Sequence, residues 1–266
     1  MVVFSNCKIN IGLHILGKAL NGYHYLETIM YPLPFYDCIE IIPHQTETTL
    51  KVLNQSITNN IADNLIIKAF ELLKKDYNLP PTAFYLIKNI PMGAGLGGGS
   101  ANAVSTLKGL NMVYKLNLTK EKLIKYAQKL GSDCAFFVAN KPAIANHFGE
   151  NTAPICLDLS FYKIILILPN IEISTKEAYQ NVGIKTDRSS LALMITKSMV
   201  EWKNTIENDF EKIMLLKYPE LGKIKKLLYD NEAIYASMSG SGSSMFGIFE
   251  KQKKINFLDH YQYLTF

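Results

Sequence analysis

The chain has 266 residues, 48% hydrophobic and 19% charged, with a formal net charge of +5. That is enough apolar material for one large domain or two ordinary ones, and it excludes a disordered chain. The weak, dispersed positive charge suits anionic small ligands and argues against a nucleic-acid partner. The cysteines, Cys7, Cys38, Cys134 and Cys156, are spaced for neither a zinc site nor a disulfide framework. The most apolar run, residues 161–169, is about half the length of a membrane helix. The apolar start, residues 1–4, is too short for a secretory leader. The expectation is a cytoplasmic protein without a membrane partner.

Residues 2–4 begin one strand, and residues 8–15 alternate polar and apolar like a half-buried strand. Asn21-Gly22 is a turn signal, and residues 38–42 form a further strand ending at Pro43. Asp63 is the expected N-cap of a helix that Pro80-Pro81 stops. Residues 83–90 alternate as a strand, and residues 100–114 carry a helical apolar stripe. Thr119 caps a third helix, which Gly131 ends; Ser132 is the expected cap of a short helix over 133–139. Beyond Pro154 come a strand over 161–168, helices over 191–205, 210–217 and 219–229, and strands over 234–238 and 245–249. Elements mix without strict alternation, so the fold class is α+β, with a boundary near residue 155 giving domains 1–155 and 156–266.

The strongest local signal is Pro91-Met92-Gly93-Ala94-Gly95-Leu96-Gly97-Gly98-Gly99-Ser100-Ala101. Five glycines in seven residues bare the backbone N–H groups and permit positive φ, and the loop runs into a helix N-terminus. A strand-to-helix turn needs fewer glycines, so this segment is expected to cradle a polyphosphate. It lacks the Gly-Lys-Ser/Thr ending of a Walker loop and the companion motifs of protein kinases. Gly93, Gly95 and Gly98 do match the dinucleotide fingerprint, which leaves a dinucleotide-binding oxidoreductase, or a non-catalytic nucleotide sensor, as a rival. The next element is a helix, not a strand ending in an acidic residue, and that weighs against the rival.

Pro-x-Gly-x-Gly-Leu-Gly-Gly-Gly-Ser resembles the ATP-binding motif of the GHMP kinases. Asn6-Cys7-Lys8-Ile9-Asn10-Ile11-Gly12-Leu13 resembles the first motif of that superfamily, and Ser239-Gly240-Ser241-Gly242-Ser243 the third. The segment 21–28, Gly131-Ser132-Asp133, Gly149-Glu150 and Asn208-Asp209-Phe210-Glu211 resemble the branch acting on a cytidine diphosphate-linked polyol of the non-mevalonate isoprenoid pathway. Homoserine- or mevalonate-type kinases are the nearest alternatives, with no evident use for Gly22-Tyr23-His24. Departures are Cys7 for a frequent alanine, Cys134-Ala135 for a common Val-Pro, and Lys176 where proline is frequent. The resemblance implies an N-terminal domain like ribosomal protein S5 domain 2 and a ferredoxin-like C-terminal domain. It implies ATP and Mg²⁺ as the phosphoryl-transfer pair and a small-molecule substrate; the oligomeric state is left open, a homodimer included.

The residue pattern leaves Asp133 open between a general base and a helix cap, and Lys8 between a used buried amine and an outward edge lysine. The resemblance assigns Asp133 as base and Lys8 as its partner at the acceptor hydroxyl. Ser100 can offer its hydroxyl to Mg²⁺ or simply cap a helix. The resemblance further implies that His24 hydrogen-bonds the cytosine, that Tyr23 and Tyr179 stack on it, and that Asn10 and Thr175 contact the substrate.

Overall fold

The computed structural model describes residues 1–43, 46–54, 60–180, 182–255 and 261–266. Two long strands open the chain, β1 (Val2–Lys18) and β2 (His24–Pro43). The separate short strands expected over 2–4, 8–15 and 38–42 are parts of these two. At the turn joining them, Gly22 has φ +85° and donates to the Ala19 carbonyl, as Asn-Gly predicts.

There follow β3 (Thr49–Val52), α1 (Leu65–Tyr77), β4 (Thr82–Ile87), α2 (Gly98–Val113), α3 (Lys120–Leu130) and α4 (Cys134–Ala139). Next come β5 (Ala143–His147), β6 (Asn151–Pro154), β7 (Tyr162–Leu168), α5 (Thr175–Gln180), α6 (Leu191–Met194) and α7 (Met199–Thr205). The chain closes with α8 (Glu211–Lys217), α9 (Pro219–Asp230), β8 (Tyr235–Met238), β9 (Met245–Glu250) and β10 (Gln262–Thr265). The α+β class is the observed one.

The chain forms two compact units: Met1–Cys7, Pro32–Pro91 and Gly97–Lys141 make one, and Lys8–Tyr31, Met92–Leu96 and Pro142–Phe266 the other. These do not coincide with a single division at residue 155, because β1, β2 and the glycine loop each contribute to both.

In the first unit β4 pairs antiparallel with the end of β2, Cys38 opposite Ile87, and parallel with β3. Phe70 of α1 meets Phe84 of β4 edge-on at 5.6 Å. Gly109 lets α2 lie close on β2: a Cβ there would stand 2.4 Å from Ile41 Cδ1. Two expected caps are corrected. Asn64, not Asp63, caps α1 by accepting from Ile66 N, and Asp63 belongs to a preceding 3₁₀ turn. Asp133, not Ser132, holds the cap position of α4.

In the second unit β10, β7, β9 and β8 form an antiparallel sheet in that order. Its buried side chains, among them Ile165, Ile167, Met238 and Phe249, pack with Leu221, Ile224 and Leu228 of α9, with Met214 of α8, and with Leu13 and Ile15 of β1. The first half of β2 pairs with β5, Leu26 opposite His147. The single helix expected over 191–205 is two, because the chain restarts at Ser198, a residue that competes with helical backbone.

Candidate active site

The entry to the glycine loop is anchored within the first unit by a buried ion pair. Lys88 Nζ donates to Asp37 Oδ2 at 2.6 Å and to the Ile90 carbonyl at 2.7 Å. Asp37 Oδ1 accepts from the backbone N–H groups of Asn89 and Ile90. Burial pushes the Lys88 ammonium below its ordinary pKa, and Asp37 opposes that shift.

The glycines then divide their tasks. Gly93, Gly95 and Gly97 have φ of +63°, +72° and +69°, where a side chain is strained. Gly98 is needed for space, since a Cβ would lie 2.8 Å from Ile90 Cγ2. Gly97 occupies the N-cap of α2 and offers no side-chain cap, so the first-turn N–H groups keep their free valence for an anion. Ser100, in that turn, is half-buried; burial pushes the Cys134 thiol up to about 12, and the Ser100 hydroxyl opposes that shift. Asn102 is buried one residue beyond Ala101, and its Oδ1 has no hydrogen-bond partner within the protein. Such an orphan acceptor suits a donor brought by a ligand. Asp133 is half-buried at the α4 cap position, yet its side chain makes no capping hydrogen bond.

In the second unit Lys8 is only 3% exposed, which settles its orientation on β1 as inward. Its amine donates to Asn10 Oδ1 and, at 2.8 Å, to the Gly95 carbonyl. Asn10 Nδ2 donates to Thr28 Oγ1, which donates on to the Gly12 carbonyl. Ser239 Oγ accepts from Asn10 N and donates to the Gly95 carbonyl. Gly95 and Gly240 are sites of close approach: a Cβ on the first would stand 1.9 Å from the Ser239 carbonyl oxygen, and on the second 2.9 Å from Asn10 Oδ1. The loop 239–244 is held in turn by Asn208, whose Nδ2 donates to the carbonyls of Met238 and Gly240. Lys8, Asn10, Gly95 and Ser239 thus form one hydrogen-bonded cluster.

A second group in this unit is aromatic. His24 stacks on Tyr179 of α5 with centroids 4.9 Å apart, and Tyr179 meets Phe210 edge-on at 4.8 Å. Burial, and then Lys18, lowers the His24 pKa, so at neutral pH its ring presents one donor and one acceptor nitrogen. Tyr23 is 61% exposed and leans on Phe148, not on His24 or Tyr179. Thr175 begins α5 and is exposed.

Residues 64–141 match the GHMP kinases N terminal domain and residues 184–261 the GHMP kinases C terminal domain. A protein of Bacteroides fragilis named 4-diphosphocytidyl-2-C-methyl-D-erythritol kinase is 45% identical over 262 residues, 97% of this chain and 96% of that one. The chain belongs to the GHMP kinase family. A relative of the same name from Azobacteroides pseudotrichonymphae is 46% identical over 254 residues, 94% of each chain. A crystal structure of 4-(cytidine 5'-diphospho)-2C-methyl-D-erythritol kinase superposes with a TM-score of 0.79 at 27% identity, covering 94% of this chain and 91% of that one. Mevalonate kinase of Methanococcus jannaschii, at 16% identity and TM-score 0.72 over 100% and 97% of the two chains, shares the fold.

As a GHMP kinase the chain is an ATP-dependent phosphotransferase acting on a small molecule. Among the described residues no helix is long and apolar enough to cross a membrane, and no group of three or more His, Cys, Asp or Glu could hold a metal ion. Thr28, Asn102 and Ser239 had no role assigned from sequence. Thr28 and Ser239 lie inside the segments 21–28 and 239–243, so their hydroxyls are a usable sequence signal; the orphaned acceptor of Asn102 appears only in three dimensions.

Proposed function

We propose that this chain transfers the γ-phosphoryl group of ATP to the 2-hydroxyl of 4-diphosphocytidyl-2-C-methyl-D-erythritol. The observation that carries the reading is the 45% identity, over nearly the whole of both chains, to a relative bearing that kinase's name. We retain residues 1–155 as the ATP-binding part and 156–266 as the C-terminal kinase part. The segment 91–101 binds the triphosphate through its backbone N–H groups and the N-terminus of α2.

The acceptor oxygen bonds to the γ-phosphorus as the bond to the ADP oxygen breaks, and the hydroxyl proton passes to the Asp133 carboxylate. Lys8, already fixed by Asn10 and Gly95, orients the hydroxyl oxygen, and Asn10 lies beside it. Mg²⁺ bound to the phosphates would neutralise their charge; Ser100 would be the protein hydroxyl that holds it, and Mg²⁺ commonly keeps few protein ligands beside phosphate and water. His24, with Tyr23, Tyr179 and Thr175, recognises the cytidylyl end. A neutral imidazole matches the mixed donor and acceptor edge of cytosine.

The test is ADP release from ATP and Mg²⁺ with a panel of acceptors. Turnover with the cytidylylated acceptor, and little with homoserine or mevalonate, is expected. Efficient turnover of either of the latter would overturn the substrate assignment.

A further inference from the structure

Tyr23 poses a physical problem for a recognition residue. It is 61% exposed, follows the tight turn at 19–22, and its own N–H is tied to Asn21 Oδ1. An exposed tyrosine on a turn samples several rotamers, and ordering it on binding opposes affinity. Among the described residues one other ring meets it: Phe148, at 5.5 Å and a 53° tilt.

Phe148 is itself well fixed. It lies in the turn between β5 and β6, flanked by His147 at φ +67° and Gly149 at φ +105°. The Glu150 carboxylate clamps that turn, accepting from Phe148 N at 2.9 Å and bonding His147 Nδ1 at 2.5 Å. The β2–β5 register, Leu26 opposite His147, continues to bring Tyr25 opposite Phe148. Those rings stack at 5.1 Å with 17° between planes, and His147 closes on Phe148 at 4.0 Å. Tyr23, two residues from Tyr25, takes the diagonal place on the same face, within reach of an aromatic.

We infer that Phe148 is the positioning residue for Tyr23: it backs the tyrosine ring and presets the orientation in which it meets the pyrimidine. Phe148 acts through Tyr23 and has no part in phosphoryl transfer. The inference rests on the base-recognition reading above and deepens it. It also gives the Gly149-Glu150 pair a task, holding the turn that carries the phenyl ring.

Phe148→Ala is expected to raise KM for the cytidylylated acceptor about tenfold, the worth of one aromatic contact and one ordered side chain, with kcat and the KM for ATP unchanged. Phe148→Tyr should restore the wild-type KM. Tyr23→Ala should show the same rise, and the double variant no more than Tyr23→Ala alone. Phe148→Leu keeps the bulk without the ring; it should weaken binding of cytidine 5'-monophosphate, read by calorimetry, while its thermal midpoint stays near wild type. A Tyr23→Ala defect with wild-type KM in both Phe148 variants would overturn the inference and leave the base site standing. A wild-type KM in Tyr23→Ala would remove the base-site reading itself. A fall in kcat matching any rise in KM for Phe148→Ala would make the residue merely structural.

Discussion

The amine of Lys8 and the ring of Tyr23 belong to the same compact unit and are built in opposite ways. Lys8 is 3% exposed and held by two acceptors, whereas Tyr23 is 61% exposed and steadied by a ring behind it. A group that meets a reacting oxygen must stay in one place in a water-poor setting, where its charge acts strongly. A group that meets an incoming base must be reachable, so its order comes from stacking at its back and its front stays open. On the proposed roles these are a chemical end, whose loss is expected to lower kcat, and a recognition end, whose loss is expected to raise KM.

The sharpest way to break that separation is at the chemical end. Asp133→Asn keeps the size but cannot take the proton as a carboxylate does, and Lys8→Ala removes the orienting amine. Each should cut kcat by at least about a hundredfold with both substrates still bound. The double variant should be little worse than either single one. Single-turnover transfer on folded protein, with binding measured separately, is the check. Near wild-type turnover of Asp133→Asn would leave that residue a purely structural part of the corner before α4.

Gly95→Ala comes next. Its Cβ would stand 1.9 Å from the Ser239 carbonyl oxygen at φ +72°, so the loop must shift and carry with it the Gly95 carbonyl that accepts from Lys8. The positive φ alone costs about 1–2 kcal/mol. A rise in the KM for ATP together with a fall in kcat is expected. A variant indistinguishable from wild type in both would mean the cluster around Lys8 is not needed.

The backbone freedom of the five loop glycines has a local physical meaning that the residues carry, whereas the strand alternation leaves Lys8 open between inward and outward, and its burial appears only in the structure. Tyr23 and His24 stand beside a turn signal, where aromatic residues are commonly core packing, and their recognition role comes only from the family resemblance. Phe148 is 125 residues from Tyr23 and reaches it only through the β2–β5 register. The expected grouping of Tyr23 with Tyr179 has a counterpart that sequence could not supply: Tyr179 stacks on His24, because α5, itself unforeseen, carries it there. Strands β5 and β6 were missed because each is short and partly polar, too brief to show alternation. The two compact units likewise escape a reading by contiguous stretches, since long strands serve both.

A smaller effect lies along β1 between the two ends. His14 is 1% exposed, and burial, followed by Arg188, lowers its pKa from 6.5 to about 4, against the opposing carboxylates of Asp209, Glu27 and Glu207. The folded chain keeps this imidazole neutral where the unfolded chain would protonate it. Stability contributed by His14 is therefore complete above pH 6.5 and lost as pH falls towards 4. The loss is at most about 3 kcal/mol. Urea midpoints across that range should fall less steeply in His14→Gln than in wild type; parallel slopes would show that His14 titrates alike in both states.

The decisive measurement compares two acceptors. The kcat/KM for the cytidylylated polyol is measured against that for the same polyol phosphate lacking the cytidylyl group, in wild type and in His24→Ala. Wild type is expected to prefer the cytidylylated acceptor strongly, and that preference should shrink by about tenfold or more in His24→Ala, through KM and not kcat. Equal use of the two acceptors by wild type, or an undiminished preference in His24→Ala, would contradict it.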